Sequence, residues 1–155
     1  CSGDMFAYKE STVAQIPVTE ITNSTLIKPQ GRIFYAGNAA SFSIDYCTMY
    51  GWGGSKAMLE LGDKNTLGMS LAIKNTILAN GGSNRKAHNA NAAANLSLTI
   101  EKVYGTNDMT FHSTLGDVTK YDKPSTEVFE NPEEGNFKII DALFPSSIGD
   151  PRWTE

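Results

Sequence analysis

The stretch Ile21-Thr22-Asn23-Ser24-Thr25-Leu26 decides the fold, because close variants of it recur along the chain. Each variant has the order apolar, polar, Asn or Tyr, small, β-former, apolar; the two others are Ile44-Asp45-Tyr46-Cys47-Thr48-Met49 and Ile73-Lys74-Asn75-Thr76-Ile77-Leu78. A fourth, degenerate copy runs from Ile100 to Val103. The leading isoleucines are 23, 29 and 27 residues apart, a spacing typical of a chain that winds once per repeat. The sequence therefore predicts a solenoid.

A second set of segments indicates that the repeat is built from β-strands. Gly31 to Gly37 aligns with Lys56 to Gly62, and Gly3 to Tyr8 aligns with the first of these. The runs are short, rich in β-formers and separated by Gly, Asn and Ser, and no stretch keeps a helical period over the length that a helix needs. We therefore predict an all-β fold, a right-handed parallel β-helix of about four or five coils with almost no helix and a C-terminal cap.

The alternation of side chains along a strand predicts a corner in every coil. Ile21 and Leu26 are five positions apart, so they would face opposite sides of a straight strand. Asn23, Tyr46 or Asn75 stands where the chain must bend, and asparagine tolerates the left-handed backbone that a tight corner needs. Stacking like residues on like predicts four inward rows, namely Phe42, Leu71 and Leu98; Ile21, Ile44, Ile73 and Ile100; Leu26, Met49 and Leu78; and Phe6, Phe34 and Leu59.

Length and composition bound the domain and exclude some partners. The 155 residues, 40% hydrophobic and 19% charged, suffice for one domain with a buried core. We assign coils to residues 1–115 and a capping segment to residues 116–155, within one domain over 1–155. The net charge of −4 and the pI near 5.2 argue against nucleic acid as a partner. No apolar run is long enough for a transmembrane segment.

The two cysteines lead to different expectations. Cys47 takes the place of Ser24 and Thr76 in the repeat, so we expect a small core residue there. Cys1 begins the run Cys-Ser-Gly-Asp, which looks like the lipid-anchored start of a mature bacterial lipoprotein. The alternative is an internal cut from a longer chain, because Gly3 to Tyr8 already fits a repeat and solenoids need capping repeats. Both alternatives predict an extracytoplasmic protein, secreted or at the cell surface, with an outer-membrane lipoprotein as one form.

The C-terminal section carries the most specific pattern. Residues 128–137 are Val-Phe-Glu-Asn-Pro-Glu-Glu-Gly-Asn-Phe, and residues 148–153 are Ile-Gly-Asp-Pro-Arg-Trp. These runs resemble the closing segment of secreted pectate-lyase-like β-helix proteins of gut-type bacteria, in which F-x-N-P-x-x-G-x-F and a terminal G-D-P-R-W commonly end the helix. Many members are domains of unknown function in polysaccharide-utilisation systems. The resemblance implies a fold and a polysaccharide-related setting. We expect Trp153 to cover the open end of the core, with Arg152 bonding Asp150 or carbonyl groups.

Motifs for chemistry are absent from the sequence. It has no Gly-x-Ser-x-Gly, no phosphate-binding loop and no His-Glu-x-x-His. Asp45, Glu60 and Asp63 are the carboxylates nearest the coil strands, and isolated carboxylates are usually solvated. We predict no metal site and no cofactor, with calcium entering only if the chain is a lyase, because calcium needs many oxygen ligands. Catalytic residues cannot be assigned, and His112, without a partner, is expected to be a strand or loop residue.

Two loops are candidate ligand sites. The segment from Asn80 to Asn95 concentrates Arg85, Lys86 and His88 on an acidic chain, and insertions of a solenoid tend to lie on its binding face. Its alternative is a mobile, solvated loop that its Gly, Ala and Asn content favours. In residues 50–55, Tyr50 and Trp52 on a glycine-rich turn can offer flat faces to sugar rings. The alternative there is Trp52 packed over the solenoid edge as a lid.

Three functions remain open from the sequence. The first is a non-catalytic module that binds or displays polysaccharide, favoured because no acid, base and metal constellation can be assembled. The second is the terminal part of a β-helix polysaccharide lyase acting on uronic-acid polymers, whose chemistry needs a cation for the carboxylate and a base for the adjacent proton. The third is a structural spacer. Fold alone does not decide between them.

Overall fold

The computed structural model describes residues 5–8, 18–37, 40–62, 68–93 and 95–154, and strands dominate it. The strands are β1 (Phe6–Tyr8), β2 (Val18–Ile27), β3 (Phe34–Ala36), β4 (Ser41–Tyr50), β5 (Leu59–Leu61), β6 (Met69–Lys74), β7 (Ile77–Ala79), β8 (Leu96–Glu101), β9 (Tyr104–Gly105), β10 (Thr119–Lys120), β11 (Phe129–Asn131) and β12 (Asn136–Ile139). The chain also has two single-turn α-helices, α1 (Ala90–Ala93) and α2 (Ser125–Val128). Three short 3-10 helices lie at Ser113–Leu115, Pro132–Glu134 and Pro151–Trp153.

The coil strands pair in parallel and form a β-solenoid with three faces. The first halves of β2 and β4 align with β6 and β8 and make the first face. Their second halves align with β7, β9 and β10 and make the second face. Strands β1, β3 and β5 make the third face. This arrangement confirms the all-β class and the parallel solenoid.

The number of coils was overestimated: the structure has about three turns rather than four or five. The strands of the second face become shorter along the stack. β4 has ten residues, which run through both the first and the second face, whereas β10 has only two. Beyond Tyr121 the chain leaves the coil and packs against the outside of the second face, so these residues add no further turn. Helix is also more frequent than predicted, at about 12%.

The predicted corners are confirmed by the backbone. Asn23, Tyr46 and Asn75 have φ of 48°, 49° and 43°, and Lys102 in the degenerate copy has φ of 51°. Left-handed backbone is uncommon for residues other than glycine. Its recurrence at one position of each coil shows that the corner belongs to the repeat. A second row of left-handed residues, Lys28, Gly51 and Asn80, follows the strands of the second face and was not predicted.

The four predicted inward rows match the strand register. Ile44 aligns with Ile21 on one side and Ile73 on the other, and Phe42 aligns with Leu71. The pairs of the remaining rows also agree, at Leu71 with Leu98, Ile73 with Ile100, Leu26 with Met49, Met49 with Leu78, Phe6 with Phe34, and Phe34 with Leu59. Members in the middle of the stack are fully buried, whereas Phe6 in the first coil is 37% exposed.

Cys47 lies in this inner core, as its place in the repeat predicted. Its side chain is completely buried, and burial raises the pKa of the thiol to about 11. Cys1 lies outside the described residues, as does the proposed lipid anchor. Within the described part of the chain, no helix has the length and apolar character needed to cross a membrane.

A second core lies on the outer side of the second face. Tyr50, Ile77 and Ala79 point away from the inner core and are covered by C-terminal residues, among them Phe129 and Phe137. All three outward side chains are fully buried. At β4 and β7 the second face is therefore buried on both sides, which explains why apolar residues occupy inward and outward positions alike in these strands.

The expected position of Trp153 over the end of the core was wrong. Its Nε1 donates to Thr25 Oγ1 at 2.7 Å, and its ring meets Phe137 edge-on, so it lies against the outer side of the second face. The hydroxyls of Thr25 and Thr48, aligned on adjacent strands, provide polar partners there. At the last turn, the inner core is instead completed by Met109, Leu115 and Val118.

Of the two partners predicted for Arg152, carbonyl groups or Asp150, the structure shows Asp150. The Arg152 side chain donates through Nε and Nη2 to a completely buried Asp150 carboxylate, which also accepts from Thr25 Oγ1 at 2.7 Å. Burial alone would raise the pKa of Asp150, but the hydrogen bonds from Arg152 and Thr25 outweigh it and lower the pKa. The Asp150 backbone N–H donates to Thr48 Oγ1 at 3.1 Å, which ties the C-terminal segment to two coils.

We predict that Ile44→Asp unfolds the domain. Ile44 is completely buried between Ile21 and Ile73, and an isolated carboxylate there costs several kcal/mol of desolvation. Thr99→Asp is the matched control, because Thr99 is exposed on the outward side of β8. Thermal unfolding followed by circular dichroism measures both. Equal melting temperatures for the two variants would contradict the inward assignment of Ile44.

We also predict that Asp150→Asn loses about 2 kcal/mol of stability at neutral pH, the size of a hydrogen-bonded network to a charged group. Because the folded pKa of Asp150 is lowered, its contribution is present above the ordinary carboxyl pKa of about 3.9 and is lost as the pH falls through the folded pKa. Urea unfolding should therefore show the deficit at pH 7 and a smaller one in acid. The control is Asp117→Asn, at an exposed position; a deficit independent of pH would refute the role of the charge.

Candidate functional site

The third face carries an open groove of about 340 Å³ on its outer side. It is lined by Ser55, Ala57, Glu60, Lys86, His88, Asn89, Ala90, His112 and Thr114. These residues come from three separate parts of the chain, which the coil brings together as adjacent strands. Among the pockets of the described residues, this one combines a lysine, two histidines and a carboxylate.

The segment from Asn80 to Asn95 forms much of the groove because it continues the third face. Met58 N–H donates to the Lys86 carbonyl and Leu59 N–H to the Ala87 carbonyl, both at 2.9 Å. On the other side, Arg85 N–H donates to the Thr110 carbonyl at 3.0 Å. The segment thus extends the sheet between β5 and the next turn. Residues 85–88 are therefore held in the sheet, with Ala87 completely buried, whereas Ser83, Asn84, Ala90 and Asn91 of the same segment are exposed.

Side chains alternate along this added strand. Arg85 and Ala87 point inward and are buried, whereas Lys86 is exposed and His88 is half-buried. Alternation of this kind is the ordinary geometry of a strand. It divides the predicted basic cluster, because only Lys86 and His88 line the groove.

Arg85 is engaged in the body of the solenoid. Its guanidinium donates to the backbone carbonyls of Gly53, at 2.9 Å, and of Gly54 and Ser83. Its Cζ lies 5.9 Å from the centre of the Trp52 ring. Burial lowers the pKa of Arg85. This side chain holds the 51–55 turn against the next coil and takes no part in lining the groove.

Tyr50 and Trp52, the predicted aromatic platform, are both completely buried. Trp52 belongs to the inner core. It is therefore packed, as in the alternative to a sugar platform, but it lies inside the coil rather than over its edge. Tyr50 belongs to the second core, where its hydroxyl donates to Glu133 at 2.5 Å and accepts from Asn80 Nδ2 at 2.7 Å. Neither ring presents a face to solvent in this structure.

The negative charge of Glu60, the carboxylate in the groove, is balanced by neighbouring cations. Glu60 Oε2 lies 3.2 Å from Arg32 Nη1 and 3.8 Å from Lys56 Nζ, and Oε1 accepts from Ala57 N–H at 3.4 Å. Two cations therefore oppose one carboxylate at this end of the groove. Lys86 lines the same groove with an exposed ammonium group, whereas Arg32 and Lys56 lie beside the groove and not in its lining.

The two imidazoles of the groove make opposite hydrogen bonds through Nδ1. His88 Nδ1 lies 2.9 Å from the carbonyl oxygen of Asn89, so Nδ1 must donate. His112 Nδ1 accepts from Thr114 N–H at 3.2 Å and caps the Ser113–Leu115 helix. A ring nitrogen that accepts carries no hydrogen, so the neutral rings are different tautomers.

Glu60 and His112 belong to the groove although sequence reasoning did not place them there. Glu60 was treated as an isolated carboxylate and His112 as a residue without a partner. Their positions follow from two short bridges, Leu59 with His88 and Arg85 with Phe111, which put Lys86 beside His112 on adjacent strands. The sequence between residues 80 and 115 carries no repeat motif for the third face, so the strand register there could not be predicted.

Metal binding finds no support in the described ranges. Within residues 5–8, 18–37, 40–62, 68–93 and 95–154, no three His, Cys, Asp or Glu side chains come together in a group that could hold a metal ion. Asp63, one of the carboxylates considered from the sequence, lies outside these ranges.

Comparison with protein families gives a match over most of the chain. The family model described as Domain of unknown function (DUF5123) matches residues 42–153 of this chain. No curated protein and no solved structure matched significantly. The matched region spans the groove residues from Ser55 to Thr114 together with the C-terminal segment, so both belong to one family unit.

We predict that Arg85→Lys destabilises the domain by about 1–2 kcal/mol, because an ammonium cannot keep the forked set of bonds to Gly53, Gly54 and Ser83. Lys86→Ser, the neighbouring change at an exposed position, should leave stability within about 0.5 kcal/mol. Chemical unfolding of both variants decides the point. A larger loss for Lys86→Ser than for Arg85→Lys would show that the assigned alternation is wrong.

Proposed function

This chain belongs to the DUF5123 family of domains of unknown function, and we propose that it binds polysaccharide through the groove on its third face. In this proposal the chain is a non-catalytic, extracytoplasmic module, secreted or at the cell surface, built on a right-handed parallel β-helix. The resemblance of residues 128–137 and 148–153 to pectate-lyase-like proteins supports the setting. The groove supplies the binding surface.

The observation that carries the proposal is the shape and lining of the groove. It is partly open to solvent and is lined by three adjacent segments of the coil, so sugar units of a polymer can enter it from the surface. Ser55 provides a hydroxyl suited to the hydroxyls of a sugar, and the Asn89 amide and the Thr114 hydroxyl are held in place by bonds to Leu61, Ala92 and Ala87. Such polar groups in fixed positions are what orients a ligand in a shallow site.

The charge of the groove favours an anionic glycan. Lys86 is exposed, whereas the charge of Glu60 is balanced by Arg32 and Lys56. A polymer of uronic acids presents one carboxylate per sugar, which matches the exposed Lys86 ammonium group in the groove. Stacking on Trp52 or Tyr50 does not enter the proposal, because both rings are buried.

A second candidate function is the terminal part of a lyase for uronic-acid polymers. The observation that favours it is the presence of Lys86 and His88 in one groove, since such chemistry needs a cation at the carboxylate and a base at the adjacent carbon. The two candidates differ in the product. Incubation with polygalacturonate should give no absorbance of unsaturated uronate if the module only binds, and a rising absorbance if it is a lyase.

We predict that Lys86→Ser weakens binding of polygalacturonate about fivefold, the size of one partly exposed ion pair, and reduces the dependence of affinity on salt. Lys138→Ser is the matched control, because Lys138 is an exposed lysine on β12, outside the groove. Isothermal titration calorimetry at two salt concentrations measures both effects.

Full binding by Lys86→Ser, or equal loss in Lys138→Ser, would exclude the groove as the site. Absence of binding to any acidic or neutral glycan by the unaltered protein would leave the structural spacer as the remaining function.

A further inference from the structure

We propose that β8 offers a docking site for one extended strand of a partner protein. The site is the free edge of β8, meaning the edge that does not face β6. The partner strand runs parallel to β8, has apolar side chains at alternate positions and carries a lysine or arginine beside Glu101. The groove lies on the third face and β8 on the first, so this inference is independent of the proposed function.

Only one edge of β8 has a strand partner, β6, in the described part of the chain. Met69 N–H donates to the Asn95 carbonyl at 3.0 Å, at the start of this pairing. At its end, Asn75 N–H donates to the Glu101 carbonyl, also at 3.0 Å. Neighbouring residues of a strand point their backbone groups to opposite edges, so the residues between these two carbonyls alternate. The N–H and C=O groups at the free edge are those of Leu96, Leu98 and Ile100.

The chain passes the position beside β8 without forming a strand there. Residues 113–118 run between the bridge at Phe111, on the third face, and β10, on the second. The backbone N–H groups of Leu115 and Val118 donate to carbonyls three residues earlier, and both side chains turn into the inner core. The first face therefore ends one strand before the second face. The vacant position has the width of a single strand, about 4.8 Å.

The inward side of β8 is less covered than that of β6. Leu71 and Ile73 on β6 are completely buried, whereas their partners Leu98 and Ile100 on β8 are only half-buried. A further strand with apolar residues at alternate positions would cover these side chains, as β8 covers those of β6.

The edge of β8 also lacks features that prevent strand pairing. Free edges are commonly protected by proline, lysine, a bulge or a very short strand. β8 has six residues, Leu-Ser-Leu-Thr-Ile-Glu, and pairs with β6 at every one of them without a register shift. A regular edge of this length is suited to the addition of a strand from another chain.

The outward charges indicate which residue the partner strand places at its end. Asp45, Lys74 and Glu101 are aligned on successive strands and alternate in sign. Lys74 Nζ lies 3.2 Å from Glu101 Oε2, yet the Glu101 side chain remains 54% exposed. A lysine or arginine on the other side of Glu101 continues this alternation, whereas an acidic residue there would meet a like charge.

A second copy of the chain fits this edge less well than a single strand. In a symmetric pair, β8 of one copy would lie antiparallel to β8 of the other. Residues 113–118 and β10 of both copies would then project into the same space, because they lie beyond the level of β8. One extended segment requires only the width of a strand.

The test uses a synthetic peptide with the β6 sequence Met-Ser-Leu-Ala-Ile-Lys, flanked by serines and blocked at both ends. In parallel register on the free edge, it repeats the pairing of β6 with β8 and places its lysine beside Glu101. We expect one peptide to bind per chain in a nitrogen-15 NMR titration. The scrambled peptide Met-Leu-Ile-Ser-Ala-Lys keeps the composition and the terminal lysine without the alternation, and should bind about tenfold more weakly.

Amide hydrogen exchange locates the bound strand. In the free protein, the amides of Leu98 and Ile100 should exchange faster than those of Ser97 and Thr99, which face β6. Peptide at about ten times its Kd should slow exchange at Leu98 and Ile100 about tenfold. N-methylation of the peptide alanine, whose N–H meets the Leu98 carbonyl in this register, should abolish binding. N-methylation of the peptide leucine, whose N–H faces away from β8, should not.

A charge exchange tests the cation expected beside Glu101. Glu101→Lys should weaken binding of the lysine peptide about fivefold, and a peptide that ends in glutamate should recover this loss on the variant. Glu127→Lys, at an exposed position on α2, is the matched control and should change neither affinity.

Absence of peptide binding, equal binding of the scrambled peptide, or protection at the groove instead of β8 would overturn the inference. So would slow exchange at Leu98 and Ile100 in the free protein together with a dimer in analytical ultracentrifugation, since a second copy would then cover the edge. The peptide titration does not involve polygalacturonate, so the proposed function and this inference fail separately.

Discussion

The structure depends on stacking like residues on like between parallel strands, which only works if every coil turns its corner at the same place. Asn23, Tyr46, Asn75 and Lys102 all take left-handed backbone there. This conformation costs roughly 1 kcal/mol or more for residues other than glycine. Burial of the isoleucine row beside the corner outweighs that cost, since Ile44 and Ile73 are completely enclosed. Because each coil is stabilised by its neighbours, the corner is kept even where a bulky tyrosine occupies it.

The second face connects the solenoid to its C-terminal segment. Its inward residues, such as Met49 and Leu78, belong to the inner core, while Tyr50 and Ile77 on the other side belong to a core shared with Phe137. Asp150, Thr25 and Thr48 supply the polar links along the same face. With this face covered, side chains on the outer sides of the first and third faces stay exposed, and those of the third face form the groove. The C-terminal segment thus removes part of the second face from the solvent-exposed surface.

In the groove, the alternation of side chains along a strand puts residues that stabilise the fold next to residues that face solvent. Arg85 and Lys86 are adjacent in sequence, yet one binds carbonyl groups in the interior and the other faces solvent. His88 and His112 lie in the same groove, yet their Nδ1 atoms respectively donate and accept. A basic run in the sequence therefore overstates the number of cations offered to a ligand. The hydrogen-bond partners of each side chain, rather than its type, decide what it can do.

By itself, the sequence determined the parallel solenoid, the left-handed corners and the four inward rows, because a repeat with fixed parity leaves only one stacking of its isoleucines. It also predicted the burial of Cys47, and it gave Asp150 as one of two possible partners of Arg152, beside carbonyl groups. Only the tertiary structure decided the count of about three turns, the outer position of Trp153 and the make-up of the groove. The physical reason is that these features depend on register between segments without a shared motif, such as Glu60, His88 and His112. Pairing of that kind is set by packing across coils and leaves no local pattern in the chain.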